Sequence, residues 1–344
     1  QAEDGIRDSV ASRGLGDVYK RQLITSQIFA IEYGNITVNP DVLNAQVVVG
    51  RVDSTQTITI TNTSERDLLW SIPNINPMLS AAQYHNLALS SGQTVTGWGI
   101  TSGWKNYGQS EIPRGLSNVI DLAAGDYHSL VLLEDGTVRA WGDNAYGQTQ
   151  IPSRVKNIIA ISAGEYHNLA LHDNGRVSAW GSNKFGQTDV PQELKSVTAI
   201  SAGYYHNIAL HNDGTVTGWG SNDYGQLNFP EGLDSVIAIS AGVAHTLALH
   251  RNGSVTAWGA NGYGQSNVPT DLDSSVIAVS AGGDHSLALL SDGTVQAWGV
   301  STGWTFFGQT HIPDGLSDVI AVYSGKTHNL ALHRDYSAVS YTHL

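Results

Sequence analysis

The residues able to do chemistry recur along this chain instead of clustering. A histidine returns at His85, His128, His167, His206, His245, His285 and His328, at intervals of 39 to 43 residues. A second series follows at His172, His211, His250 and His333. Imidazoles hold a metal when three or four converge at about 2 Å from one ion. A repeat of this length puts each ring on a different structural unit. The spacing therefore predicts no metal centre: the first series reads as hydrogen-bonded histidines at strand starts, the second as surface residues. The chain has no cysteine, which removes disulfides, thiolate ligands and a cysteine nucleophile. It has no Gly-x-Ser-x-Gly elbow, its acids are scattered through turns, and its Gly-x-Asn-x-x-Gly loops recur too regularly to be one phosphate cradle. A non-enzymatic binding module without cofactor is the expectation, with a shallow axial acid site as the minor enzymatic alternative.

Composition narrows the partner. The formal net charge of the 344 residues is −13, which disfavours nucleic acid and anionic membrane surfaces. Charged residues make up 14%, below the roughly 25% of ordinary domains, while glycine is abundant. No run of about 18 apolar residues occurs, so no spanning helix is expected.

The elements that carry these residues repeat with them. Trp-Gly pairs recur in step at Trp98, Trp141, Trp180, Trp219, Trp258 and Trp298. One unit, 236–269, reads VIAISAGVAHTLALHRNGSVTAWGANGYGQSNVP. Apolar residues alternate with period two through three short runs of that unit. An Asn-Gly or Asp-Gly pair between the second and third runs predicts a two-residue hairpin. A fourth short strand is expected before each proline, where an outer edge tolerates the missing N–H. Four antiparallel strands per unit of about 40 residues, with seven starts, predict an all-β fold: a propeller of about seven four-stranded blades, the last truncated before its Trp-Gly strand. The recurrent tryptophans are expected in the blade cores, each contributing up to about 4–6 kcal/mol of burial.

Blade topology selects one rim. The Ala-Gly-x-x-His loop and the Trp-Gly-x-Asn-x-Tyr-Gly-Gln loop fall on the same side, and the hairpins on the other. The first side is aromatic-rich, as interface hot spots are. Tyr107, Tyr146, Phe185, Tyr224, Tyr263 and Phe307 recur in every complete unit and are expected to pack blade on blade. Residues that vary between units are better partner contacts: Tyr84, Tyr127, Tyr166, Tyr204 and Tyr205, which read either as contacts or as half-exposed packing. Units one and six each carry a four-residue insertion ending in Trp104 and Trp304, with Phe306 beside the latter. These rings either meet a partner, protein or sugar, or fold back on their own blades.

The consensus V-x-A-I-S-A-G-x-Y-H-N-L-A-L-x-x-D-G-x-V-x-A-W-G-x-N-x-Y-G-Q-x-x-x-P resembles the regulator of chromosome condensation repeat over about 260 residues. Its compact Gly-Gln-x-x-x-Pro style is closest to bacterial members of the beta-lactamase inhibitory protein II kind. That resemblance implies a secreted seven-bladed inhibitor whose Ala-Gly-x-x-His loops supply aromatic contacts, and Asp143 matches an acidic residue following Trp-Gly there. Ser182, Ser221 and Ala260 depart from it, and the basic tail and β-wedge of the eukaryotic exchange factor are missing. Neither of the eukaryotic activities, exchange nor chromatin binding, is carried over.

The ends look foreign. Asp17 to Gln22 can be encoded by a DNA string whose reverse complement encodes Val339 to Leu344, so 1–22 and 339–344 read as translated library adapter around a piece of a gene. The repeats occupy 79–338. Between them and the adapter, 23–78 carries strand-like runs at 47–50, 57–62 and 68–72. It weakly resembles part of a bacterial immunoglobulin-like domain, or forms a strand-rich lead-in. That segment and the Thr/Asn/Gly-rich, Lys-poor composition point to an extracellular or cell-surface location. The combined expectation is a propeller binding a protein through its aromatic rim, as an inhibitor or an adhesion or scaffold protein, with a glycan as the alternative ligand and no nucleic acid, membrane insertion or homo-oligomer implied.

Overall fold

In a computed structural model, the described residues are 78–341, apart from 91, 273, 274 and 304. The strand-like runs at 47–50, 57–62 and 68–72 lie outside them. The described chain forms seven antiparallel three-stranded sheets in sequence order. The first comprises Met78–Ala81, His85–Leu89 and Val95–Gly99, and the last Val319–Ser324, Asn329–His333 and Ala338–Tyr341. The five between them span 119–142, 158–181, 197–220, 236–259 and 276–299. This is a seven-bladed propeller.

There is no single core. Seven apolar clusters sit between blades, one at each joint. Leu169, Leu171 and Ala179 of the third blade, for instance, pack on Val197, Ala209 and Trp219 of the fourth. The first strands line the axis and are tied to each other. A serine hydroxyl of one accepts from a backbone N–H of the next, as from Ala202 to Ser162 at 3.0 Å and from Ala241 to Ser201 at 2.9 Å. The second blade has Ala123 in the serine position, and there the Asp121 carboxylate instead accepts from Ile161 N–H at 3.2 Å. Burial raises the Asp121 carboxyl to about 7.

The ring closes. Leu79 of the first blade packs with Leu330 and Leu332 of the seventh, and His328 Nε2 pairs with the Asn86 amide at 2.6 Å. The expected loss of the seventh Trp-Gly strand is corrected here: Ala338–Tyr341 supplies the third strand, with Tyr341 opposite Asn329 where Trp98 stands opposite Asn86. Val339 to Tyr341, read from sequence as adapter-encoded, thus complete the sheet.

Two local expectations also change. The fourth strand does not form. The Trp-Gly-x-Asn-x-Tyr-Gly-Gln segment folds into turns because its own side chains satisfy its backbone: Gln187 Oε1 accepts from Phe185 N–H at 2.7 Å, and Asn183 Oδ1 from Thr188 N–H at 2.9 Å. The hairpins have three-residue loops instead of two. In the second blade Leu133 bonds to Thr137 across Glu134, Asp135 and Gly136, and only the glycine takes a positive φ, 78°. Asp135 Oδ1 accepts from Thr137 N–H at 2.9 Å, completing a turn of type I followed by a left-handed residue. The seventh hairpin puts Tyr336 at that position with φ of 65°, which costs about 1–2 kcal/mol relative to glycine.

The joints carry variants of one polar network, which explains the repeat and is complete between blades two and three. His128 Nε2–H donates to Asn168 Oδ1 at 2.6 Å, and Asn168 Nδ2 donates to the Gln148 carbonyl at 2.8 Å. Trp180 Nε1–H donates to the same carbonyl at 3.0 Å. In the third blade the His167 imidazole lies against Gly164 of its own loop. A Cβ on Gly164 would drive into His167 Cε1 and into the Gly203 carbonyl of the next blade, so only glycine fits. Trp180, Trp219, Trp258 and Trp298 are buried, while Trp98 and Trp141 are half-buried. The second histidine series is bonded rather than free: His172 bridges the Lys156 carbonyl and Ser178 Oγ.

Two predictions follow from these joints. Trp219→Phe keeps an aromatic ring but removes the bond to the Gln187 carbonyl at 3.0 Å and part of the buried volume, and is expected to cost about 1–3 kcal/mol. Trp219→Ala is expected to cost about 3–5 kcal/mol, both read from urea midpoints. Burial lowers six joint histidines to about 3 or 4. Below their unfolded value near 6.5 the unfolded chain takes up protons that the folded chain refuses, so these residues remove stability as pH falls. Asp121 and Asp126, raised to about 7, act oppositely between 3.8 and 7, and Glu165 and Asp284 are raised in the same direction, but four groups do not offset six. The urea midpoint is therefore expected to fall between about pH 6.5 and pH 4.5.

Candidate functional site

The two loop types predicted to share a rim do meet there. Tyr107, from the loop after the third strand of blade one, packs edge-on against Tyr127 of blade two at 5.8 Å. Tyr146 meets Tyr166 at 5.0 Å and Phe185 meets Tyr205 at 4.6 Å as tilted pairs, one blade further on each time. The Ala-Gly-x-x-His tyrosines also contact each other: Tyr84 and Tyr127 at 5.0 Å, Tyr127 and Tyr166 stacked at 5.3 Å. The rim thus carries an aromatic arc in two groups of touching rings, Tyr84, Tyr127 and Tyr166 with Tyr107 and Tyr146, then Phe185, Tyr205 and Tyr204. Such ring pairs contribute about 0.5–1.5 kcal/mol each beyond their burial.

Five of the six recurrent aromatics, expected to be packed between blades, are exposed on this rim, and Phe185 is half-buried. Tyr146 is 54% and Tyr224 65% exposed, and Tyr107, Tyr263 and Phe307 are also exposed. They lie at the tips of loops whose backbones are already satisfied; Tyr107, Tyr146 and Phe185 pack on a tyrosine of the next blade, while Tyr224, Tyr263 and Phe307 make no ring contact among the described residues. Sequence reasoning undervalued them because recurrence in every unit looked like a packing requirement.

The other predicted residues divide. Tyr84, Tyr127, Tyr166 and Tyr205 are half-buried within the arc. Trp104 projects, 81% exposed, with the Lys105 ammonium 4.7 Å from its ring centroid and 4.3 Å from that of Tyr84. Phe306 is half-buried. Trp304 lies outside the described residues. Asp143 is held in its own loop, its carboxylate accepting from Gln148 Nε2 at 2.8 Å and Ala145 N–H at 3.2 Å.

Tyr204 turns inward, toward the mouth of the axial channel. Its hydroxyl donates to the buried Asp126 carboxylate and lies 2.9 Å from Gln83 Oε1. Lys326 reaches the same Gln83 Oε1 at 3.3 Å and lies 4.7 Å from the Tyr204 ring centroid. Burial raises Asp126 to about 7 despite the Tyr204 hydroxyl, with Glu165 adding to the effect. Burial also raises Glu165 and Asp284, while Lys326 acts against both shifts. This polar cluster joins blades one, two, three, four and seven. Its signal in the sequence was the second loop position, which reads Gln83, Asp126, Glu165, Tyr204 and Lys326 in those blades. Among the described residues, no group of three or more His, Asp or Glu is arranged to hold a metal.

Fold and rim together define a repeat β-propeller with one aromatic-rich face. Five segments, 119–148, 158–187, 197–226, 236–265 and 276–309, match the family model of the regulator of chromosome condensation (RCC1) repeat. They coincide with blades two to six and the turn segments that follow their third strands. A comparison with curated proteins returns no match. Among solved structures, yeast RCC1 (Prp20), seen bound to Kap60, is similar at 22% identity and a TM-score of 0.55, over 67% of this chain and 71% of that one. The CRINKLY WD40 ectodomain of the Arabidopsis thaliana receptor kinase ACR4 is similar at 21% identity and 0.59, over 77% and 96%. The ectodomain of the Physcomitrella patens receptor kinase CR4 gives 20% and 0.60, over 77% and 72%. These likenesses show the fold.

The arc separates stability from exposure. Tyr166→Ala, which removes contacts to both Tyr127 and Tyr146, is expected to lower stability by about 1–3 kcal/mol. Tyr224→Ala is expected to stay within about 0.5 kcal/mol. Thermal and urea midpoints of the two variants check the contrast.

Proposed function

We propose that this protein is a non-enzymatic module that binds a protein partner through the aromatic rim. The observation that carries the reading is the pairing of half-buried tyrosines, which stiffen the loops, with exposed Tyr107, Tyr146, Tyr224 and Trp104 beside them. Rigid aromatics anchored from below bind with little loss of side-chain freedom. Inhibition of an enzyme is the narrower form of this proposal and rests on the resemblance of the loops to those of inhibitory propellers. Adhesion or scaffolding at a cell surface is the broader form, supported by the Lys-poor composition. The structure of Prp20p from Saccharomyces cerevisiae is described with binding properties to Gsp1p and histones, which is consistent with protein partners for such a face.

The test compares the parent chain with Trp104→Ala/Tyr146→Ala/Tyr224→Ala on the rim and Glu134→Ala/Arg251→Ala on the opposite hairpins. Each is presented to a cell-surface extract and to a glycan array. Capture of a protein by the parent and the hairpin variant, but not by the rim variant, is expected. Retention by the rim variant overturns the assignment of the face, and glycan retention without protein capture overturns the class of ligand.

A further inference from the structure

The aromatic arc stops at a gap. The position before each repeat histidine is tyrosine in blades one to four, then Ala244, Asp284 and Thr327. Between blades six, seven and one the missing rings leave a cleft of about 310 Å³, lined by Gln83, Tyr84, Asp284, Phe307, Lys326 and Thr327 among others. In blades one to three the ring at the Phe307 position packs on a tyrosine of the next blade. Here the next blade offers only Thr327, so the exposed Phe307 ring has no aromatic neighbour among the described residues.

Asp284 and Lys326 are the charged residues lining the cleft, and Lys326 is shared with two carboxyl groups outside it. Lys326 is the ammonium that acts on Asp126, Glu165 and Asp284 together, one cation against three carboxyl groups. It is already engaged with Gln83 Oε1 and the Tyr204 ring. Asp284 is half-buried on the cleft wall, and no hydrogen bond to its carboxylate is made among the described residues. A half-buried carboxylate beside a free aromatic ring selects a planar cation, which can stack on the ring while donating two parallel N–H groups.

Resting on the reading of the rim as a protein-binding face, we propose that this cleft receives the guanidinium of an arginine protruding from the partner, seated on Phe307 and paired with Asp284. The arginine replaces the ring that the repeat supplies in blades two to four. The aromatic arc would then meet an apolar patch of the partner, and the cleft would fix its orientation.

The probe is N-acetyl-arginine amide, titrated into the full chain at about pH 7.5 and followed by amide resonances in heteronuclear NMR, with N-acetyl-citrulline amide as the neutral isostere. Arginine amide is expected to saturate in the millimolar range, with shifts centred on Asp284, Phe307 and Lys326, and to bind about tenfold more tightly than the citrulline compound. Asp284→Asn is expected to weaken arginine amide at least about fivefold while leaving the citrulline compound unchanged. Phe307→Leu, which keeps apolar volume, is expected to weaken it as well. Equal binding of the two compounds, shifts centred elsewhere, or unchanged affinity in Asp284→Asn overturns the proposal. If these results fail while the rim variant still loses its captured protein, the arginine site falls and the rim reading stands. If arginine binds as expected while the rim variant keeps its protein, the rim reading falls, and with it the assignment of the arginine to a rim-bound partner.

Discussion

Everything in this molecule depends on one joint made seven times. Two adjacent sheets share a strip of leucine, alanine and tryptophan, and a histidine reaches across it to a side chain of the next blade. The apolar strip supplies most of the burial, but it is permissive about angle and register. The polar chain from histidine through asparagine to a glutamine carbonyl is not, because each buried donor must find its one acceptor. Where a blade substitutes serine or threonine for that asparagine, the contact remains, as from His245 to Ser286 at 3.0 Å and from His206 to Thr246 at 3.1 Å. Seven joints with one geometry turn a linear repeat into a closed ring.

Ring closure shows how far that geometry constrains the chain. The seventh blade lacks the tryptophan, yet it docks on the first through Leu330, Leu332 and the His328 contact with Asn86. Tyr341 is buried at the tryptophan register, inside the cluster that joins blades six and seven. The Tyr341 ring fills the place of the indole, but its buried hydroxyl finds no hydrogen-bond partner among the described residues.

Much of this was legible from residue spacing. The period-two runs and the step of about 40 residues give the propeller, and the positions of the two loop types give the rim. The isolation of each histidine on its own blade followed from the same step. The turns were less legible, because Asn-Gly and Asp-Gly serve both two- and three-residue loops. The outcome rests on whether the first residue caps the backbone beyond the glycine, as Asp135 does. The fourth strand was misread for a related reason: Gln187 and Asn183 bond their own loop, leaving no free edge for pairing. Tyr204 could not be placed, since its orientation depends on Asp126 and Gln83, which are far away in sequence and brought near only by the ring.

Those self-bonded loops have a consequence for how such a protein changes. In each, the glutamine and asparagine side chains hold the backbone, and the ring at the tip contributes little to holding it. A tip residue is therefore free to vary without disturbing its own support, much as type is changed in a printing frame. Blades that differ at Tyr224, Tyr263 and Phe307 can be altered one at a time, and the ring keeps its shape while the pattern it displays is rewritten.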